Sequence, residues 1–503
     1  MRRLLCATAW VIVAATGAGR SQTTALPRTA VVALTHVKLI DGTGEPAKDD
    51  QTVVIDRGRV RAVGPSKAAI TVADAEVLDL HGRTVIPGLI GMHDHLFYQL
   101  EPGASEMVVP AQSAFAKLYL AAGVTTIRTA GTVDFSGDAR IKARIDAGKE
   151  PGPKIYLTGP YLDARTSAPD PDGIAKLVDE YANAGATSIK AYTSLRASEL
   201  KAAITAAHAR GMRVTGHLCA VGFKEAASLG IDNVEHGIGF DTDLYSEKRP
   251  DVCPDQGAVF SEVARLDVGD SDIRQAIGEL IRHNVAVTST LAIIESLVGD
   301  DDAFDPRVPP LLTWRLRSTY ERSADRVKNR HPGWKPIFAR LLRVEMAFER
   351  AFVGAGGKLL AGVDPTGWGG VVAGFGDHRE VELLVEAGFT PEKAVEIATW
   401  NGASFLYDRH VGTVEPGRQA DLVVVRGDLV KNIADIRHVE MVFKDGVAYD
   451  PEPLIAAAQG SIGAFEMADL FTWRSLGIMG VVAALVGNRA RRWRRRTPAA
   501  QAV

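Results

Sequence analysis

The sequence predicts an α/β fold: a (β/α)8 TIM-like barrel with a small β-sandwich domain built from both ends of the chain. Three observations predict it. Eight short apolar runs of strand character alternate with helical segments through the middle of the chain, the order of a parallel barrel with crossover helices. Shorter runs of alternating apolar and polar residues flank that middle on both sides and share one texture. Polar residues of metal-binding type close several of the eight runs.

Composition limits the classes that need weighing. The chain has 503 residues, with 58 Lys+Arg against 61 Asp+Glu and a formal net charge of -3. That balance gives no reason to expect nucleic acid as a partner. Hydrophobic residues at 46% and charged residues at 24% are globular values, which excludes wholesale disorder. Three cysteines are too few for a disulfide framework. A bridge between Cys219 and Cys253 suits an oxidising compartment, but sequence alone does not decide it.

Residues 1–22 read as a secretory signal. Arg2 and Arg3 give a basic start, Leu4 to Ala15 is apolar and too short to span comfortably, and Thr16-Gly17-Ala18 offers small residues for cleavage. The protein is therefore expected to be exported, to the periplasm or the cell surface. The competing reading is a buried N-terminal helix.

Residues 30–84 contain VVALTHVKLI, TVVIDRGRVRAVG and AEVLDL, punctuated by Gly42-Thr43-Gly44 and Asp56-Arg57-Gly58. Residues 405–450 repeat that texture in ADLVVVRGDL and VEMVFKDGVAYD. Together they make the expected β-sandwich.

Residues 85–404 form the expected barrel. Its strands are TVIPGLIGMHDH, VTTIRTAG, PKIYLTG, TSIKAY, MRVTGH, IDNVEH, VAVTSTL and KLLAGVD. Helices are expected at Pro110–Ala122, Gly173–Gly185, Ala197–Gly211 and Ser271–Asn284. The span exceeds the roughly 250 residues of an ordinary barrel. The excess lies in Phe240–Asp270 and Ala292–Lys335, both after strands, where lids form.

Residues 451–503 are a tail. Leu476 to Gly487 is apolar, Trp473 and Trp493 flank it, and Arg489, Arg491, Arg492, Arg494, Arg495 and Arg496 crowd the end. The stretch 470–487 is a candidate membrane segment, short of the usual 20 or so apolar residues. A sorting signal, or a disordered or docked surface tail, is the alternative.

The chemistry concentrates at strand ends. His93 and His95 end the first barrel strand, and side chains at i and i+2 share a face. Lys190 ends the fourth strand, His217 the fifth, His236 the sixth and Asp364 the eighth. Nitrogen and carboxylate ligands of this kind suit zinc or a similar divalent ion. Such an ion lowers the pKa of bound water to about 7. Asp364 can hold the ion and accept a proton. Lys190 cannot ligate a cation as an ammonium. Buried beside cations it becomes neutral, and a neutral amine can add carbon dioxide to give a bridging carbamate. The alternative, a strand-end lysine paired with an acid, stays open on chemistry alone.

Four weaker candidates have bland alternatives. Tyr192 could hydrogen-bond a scissile carbonyl or simply pack in its strand. His378 could line the pocket or make a helix-start contact. Cys219 could reach a metal or be a bystander thiol. Arg315–Arg330 could hold a substrate carboxylate or be a solvated helix face.

With these residues in place, the chain resembles the amidohydrolase superfamily of metal-dependent hydrolases, and within it the imidazolonepropionase-related, Xaa-Pro dipeptidase-like group. The matching pieces are LIDGTG (Leu39–Gly44), VIPGLIGMHDH (Val85–His95), AGVTTIRTAG (Ala122–Gly131), TSIKAY, VTGH, NVEHG, LLAGVD, HREVELLVEAGFTPEKAVEIAT (His378–Thr399) and VGTVEPGRQADLVVVRGD (Val411–Asp428). The resemblance implies that His93, His95 and Asp364 bind one metal, that His217 and His236 bind a second, and that carboxylated Lys190 bridges them. It also implies that Asp364 is the general acid/base. A glutamate three residues after the fifth-strand histidine marks the mononuclear deaminases of the family; here that position is Ala220. The departure favours two metals, zinc being expected, and hydrolysis.

The expected function is thus an exported binuclear hydrolase cleaving a C–N amide bond, in a dipeptide, an N-acyl amino acid or a cyclic amide, by metal-bound hydroxide. The alternatives are ester, lactone or carbamate hydrolysis at the same site, or a non-enzymatic membrane-tethered binding protein. The expected partner is a small-molecule or peptide substrate, with a homo-oligomer left open. Ala292–Lys335 matches nothing in the family, and substrate inference stops there.

Overall fold

The alternating runs at the two ends of the body pair with each other. The computed structural model describes residues 31–68, 75–99, 108–163, 170–299, 305–330, 333–366 and 369–464. In it, Leu422–Arg426 lies antiparallel to Arg83–Pro87, with Leu422 opposite Pro87 and Arg426 opposite Arg83. One eight-stranded sheet results, ordered Val447–Tyr449, Val439–Lys444, Leu422–Arg426, Arg83–Pro87, Val32–Leu39, Lys48–Asp56, Arg59–Pro65, with Glu76–Asp79 also on Val32–Leu39. Alternation decides which residue packs where. Val85, Leu422, Val424 and Phe443 enter a core private to this sheet. Ile86, Val423, Val425 and Val442 point the other way, into the main core.

The eight apolar runs of the middle form parallel strands. We label them β1 (Leu89–Asp94), β2 (Val124–Thr129), β3 (Lys154–Tyr156), β4 (Ser188–Ala191), β5 (Arg213–Gly216), β6 (Asn233–Glu235), β7 (Ala286–Ser289) and β8 (Leu359–Ala361). They pair in two arcs, β3-β2-β1 and β4-β5-β6-β7-β8. Bridges Thr158–Ser188 and Leu162–Ala191 join the exits of β3 and β4. At the other edges, the N–H groups of Val363 and Asp364 donate to the His93 carbonyl at 3.2 and 2.8 Å. Gly362 permits this approach: a Cβ there would stand 2.5 Å from the His93 backbone nitrogen.

Helices cover the strands with apolar faces at helical spacing. Ser271–Arg282 buries Ile273, Ala276, Ile277 and Leu280. The helix expected from Gly173 starts earlier, as Pro171–Asn183, because Asp170 accepts from the Gly173 N–H at 2.7 Å and Pro171 fits the first helical position. The long insertions are helical too. Gln256–Val263 lies in the first, while Leu291–Val298 and Trp314–Arg330 lie in the second, followed by Trp334–Gly354. A disulfide between Cys219 and Cys253 ties the loop after β5 to the first insertion.

The segment from 451 opens on a helix, Pro451–Ala458, whose Leu454 and Ala458 join the main core. The expected signal at 1–22 and membrane segment at 470–487 lie outside the described residues. Among the described residues, no helix is long and apolar enough to cross a membrane.

Candidate metal centre

The parallel strands end at one rim, and the polar residues that close them meet there. His93 and His95 leave β1 with their rings 5.4 Å apart, edge to face. Asp364 follows β8 with φ at 45°, held by the backbone bond to His93. Its Oδ1 lies 3.2 Å from His95 Nε2 and 3.8 Å from His93 Nε2. Donors about 2.0–2.2 Å from one tetrahedral ion stand about 3.4 Å apart, so these spacings fit. Ligand atoms of His93, His95 and Asp364 all lie within 4.8 Å of one another and could hold a metal ion.

His217 and His236 sit against that group. The His236 ring is 4.6 Å from both the His93 and the His217 ring. His236 Nε2 lies 3.0 Å from His217 Nδ1, and its Nδ1 lies 2.9 Å from Thr290 Oγ1. Asp364 Oδ2 is 3.9 Å from His236 Nε2. His217 Nε2 is buried without a hydrogen-bond partner, which suits an atom reserved for a cation.

Lys190 lies beneath, 1% exposed. Its Nζ is 3.6 Å from Glu235 Oε1, close enough for attraction and too long for a hydrogen bond, and it has no hydrogen-bond partner. Burial pushes its pKa down to about 8.

The electrostatics keep the ligand atoms open. Burial, with the Lys190 charge, pushes His93 down to about 4 and His217 down to about 3. Burial and the neighbouring His217 and His93 hold His236 well below the usual range. Neutral imidazoles keep a lone pair for a cation. Burial pushes Asp364 up, but His93 and His95 outweigh it and hold the carboxyl far below the carboxylate range.

All six strand-end residues are therefore gathered at one place. Tyr192 joins them, its ring 5.3 Å from His217. His378 does not: it lies in the first turn of Phe375–Glu386, and its Nε2 is 2.8 Å from the Ala122 carbonyl. Neither reading of Cys219 holds, because its sulfur is bonded to Cys253. In the segment Arg315–Arg330, Arg315 lies over the Trp314 ring at 5.2 Å, and Arg317 donates to the Pro309 carbonyl at 2.9 Å.

Two functional neighbours were missed by sequence reasoning. Glu235 places Oε2 2.8 Å from His93 Nδ1 and Oε1 2.8 Å from Arg128 Nη2. Arg128, 1% exposed, also donates from Nε to the Met92 carbonyl at 2.8 Å. Both lie within strands, Glu235 just before His236. A charged residue inside an apolar strand was the available signal. Asp94, between the two histidines, points away from them; it is fully buried and neither oxygen has a hydrogen-bond partner.

Comparison with known proteins adds a family. The model of the amidohydrolase family matches residues 84–449. An enamidase of Eubacterium barkeri is 28% identical over 137 residues, 27% of this chain and 32% of that protein, so the match spans about a third of that relative. An uncharacterised protein of Mycobacterium tuberculosis is 24% identical over 449 residues, 84% of this chain and 98% of its own. Among solved structures, a Xaa-Pro dipeptidase with methionine bound in its active site matches with a TM-score of 0.63 at 21% identity, covering 84% of this chain and 100% of that one. A bottromycin amidohydrolase matches with a TM-score of 0.62 at 20% identity, covering 88% and 93%. These structural likenesses establish a TIM-barrel-like α/β fold.

Proposed function

The chain belongs to the amidohydrolase family, and from that premise we propose an exported hydrolase that cleaves an amide bond with the help of two divalent cations, zinc by the chemistry of the donors. The family makes it an enzyme acting on carbon–nitrogen bonds; the second metal, the bridging carbamate, the compartment and the type of amide are our reading. One observation carries it: the His93, His95 and Asp364 ligand atoms lie within 4.8 Å of one another, with the His236–His217 pair directly beside them.

His93, His95 and Asp364 would hold one ion, His217 and His236 the other. Bound there, the ions would polarise a substrate carbonyl and acidify water at neutral pH. Lys190 would join them as a carbamate: its neutral Nζ adds to the carbon of carbon dioxide, a C–N bond forms, and a proton passes to solvent. Asp364 accepts the proton of the attacking water and delivers it to the leaving amine. Its side chain is 17% exposed against 3% or less for His93, His95 and His236, so it faces the mouth where substrate enters. Tyr192, also at the mouth, is positioned to orient the carbonyl.

The same reading takes the two parallel arcs as one closed ring over residues 85–404. Residues 30–84 and 405–450 then form a separate β domain. The Cys219–Cys253 disulfide supports export, since such bonds persist in oxidising compartments. Within the tail 451–503, the segment 470–487 would serve as the membrane tether, beyond the core-packed helix Pro451–Ala458.

The test is metal analysis with paired substrates. Purified protein should carry two equivalents of divalent metal, lose amide hydrolysis to a chelator and recover it on zinc addition. Presenting one acyl group as amide and as ester ranks the chemistry. A metal-free protein that hydrolyses the amide, or an ester-only enzyme, overturns the proposal.

A further inference from the structure

The insertion segments, silent in sequence, supply one wall of the site. Phe240, just after β6, lies 4.8 Å from the His236 ring and 5.2 Å from the His217 ring. Tyr192 also stands against His217, at 5.3 Å, and is backed by Tyr161 at 4.9 Å. Tyr161, Tyr192, His217 and Phe240 are all half-buried, so the mouth of the site is lined with ring faces and edges.

The wall is braced from behind. Phe260, from Gln256–Val263, packs on Phe240 at 5.1 Å. Phe338, from Trp334–Gly354 and 2% exposed, packs on Phe260 at 5.5 Å. The backbone leading to Phe240 is clamped as well: Glu345 accepts from the N–H groups of Ile238 and Gly239 at 3.1 and 2.9 Å. Gly237 makes room for that clamp, because its φ is 70° and a Cβ there would collide with the Glu345 carboxyl group. A ring fixed before the ligand arrives loses little freedom on binding.

We infer that the substrate carries an aromatic or large apolar group beside the scissile carbonyl, seated over His217 between Tyr192 and Phe240. The inference rests on the metal-centre reading and assigns Phe240 as a specificity-determining residue. Aromatic neighbours favour a ring in that position through area burial and edge-to-face contact. The guanidinium of Arg128 is buried beneath the site and faces Glu235.

Two hydroxamates separate the claims. Phenylacetohydroxamic acid and acetohydroxamic acid share one metal-chelating head and differ by a phenyl ring. Their binding to zinc-loaded enzyme is measured by calorimetry, for the wild type, Phe240→Ala and Phe240→Leu, each checked for metal content and thermal unfolding. The phenyl compound should bind wild type about tenfold tighter or more. Phe240→Ala should bring that ratio close to one, with Phe240→Leu between. If neither compound binds the zinc-loaded wild type, the metal-centre reading falls and this inference with it. If both bind with equal strength, the inference alone is overturned. A preference for the phenyl compound that survives Phe240→Ala overturns the assigned seat.

Discussion

Glu235 and His93 form a buried pair, with carboxylate Oε2 2.8 Å from imidazole Nδ1. The contact sets the histidine tautomer. Nδ1–H donates to the carboxylate, leaving the Nε2 lone pair for the side where Asp364 lies. Arg128 holds the other carboxylate oxygen. Burial pushes Glu235 up, but Lys190, His93 and Arg128 outweigh it and keep it ionised. Glu235→Gln should keep the fold and weaken metal retention about 10–100-fold. Glu235→Ala should cost about 3–5 kcal/mol as well, because it leaves buried Arg128 without its carboxylate. Metal content after dialysis and thermal unfolding read both effects. Full retention of metal in Glu235→Gln would reject the orienting role.

Asp364→Asn tests the proton transfer. The amide keeps the size of the side chain but cannot accept a proton at neutral pH. Turnover at saturating metal should fall about 10²–10⁴-fold, the usual contribution of a general acid/base. Wild-type turnover in a metal-loaded Asp364→Asn enzyme would remove Asp364 from the mechanism.

Strand order alone makes the rim legible. His93, His95, Lys190, His217, His236 and Asp364 each close an apolar run, and parallel strands bring such positions to one side. The charges of Glu235 and Arg128 inside apolar runs were a signal, but one that does not say which way the side chains turn. Nothing local reveals that both side chains turn inward. His378 begins a recognisable helix, yet its aim at Ala122 depends on how that helix packs. The Cys219–Cys253 bond and the Phe240–Phe260–Phe338 wall join segments far apart along the chain, a relation no periodicity encodes. The early start at Pro171 was within reach: Asp-Pro before a helical pattern is itself a start signal.

Lys190 gives a prediction separable from the histidines. Lys190→Ala should lose one equivalent of bound metal and most activity. Lys190→Glu, which supplies a carboxylate directly, should recover part of the metal. Labelled bicarbonate should give a carbamate carbon signal in the wild type and none in Lys190→Ala. Two equivalents of metal in Lys190→Ala would make the lysine a bystander.

The Cys219–Cys253 bond closes a segment with a sequence separation of 34. That segment carries His236 and Phe240. Cys253→Ser should destabilise the protein by about 2–4 kcal/mol through the freed loop. It should also broaden the preference between the two hydroxamates, because the wall loses its tether. Protein recovered from an oxidising compartment should titrate no free thiol at these positions. An unchanged melting temperature in Cys253→Ser would show that the bond is not part of the fold's stability.

Three buried acids take no part in any catalytic step. Glu345, Glu349 and Glu380 are at most 1% exposed. Burial pushes Glu345 up to about 8 and Glu380 up to about 7, against the partial relief of their hydrogen bonds. Burial, with Glu345 and Glu380 nearby, raises Glu349 well above its ordinary value. In the unfolded chain such groups ionise near 4.5, so above that pH the folded state keeps protons that the unfolded state has released. Stability then falls as pH rises, until the folded value is passed. Buried His93, His217 and His378 act in the opposite sense, because their folded values lie near 3 to 4. Their effect ends near pH 6.5, where unfolded histidine is also neutral. From pH 6.5 to 8 the histidine effect is gone, and the other buried groups are common to the wild type and a Glu349 variant, so their difference isolates Glu349. Across that range, the melting temperature of Glu349→Gln should gain on that of the wild type at equal metal loading. The gain is bounded by about 1.4 kcal/mol per pH unit for one group. Parallel curves for the two proteins would mean that Glu349 is ionised inside the fold and that its charge is balanced there.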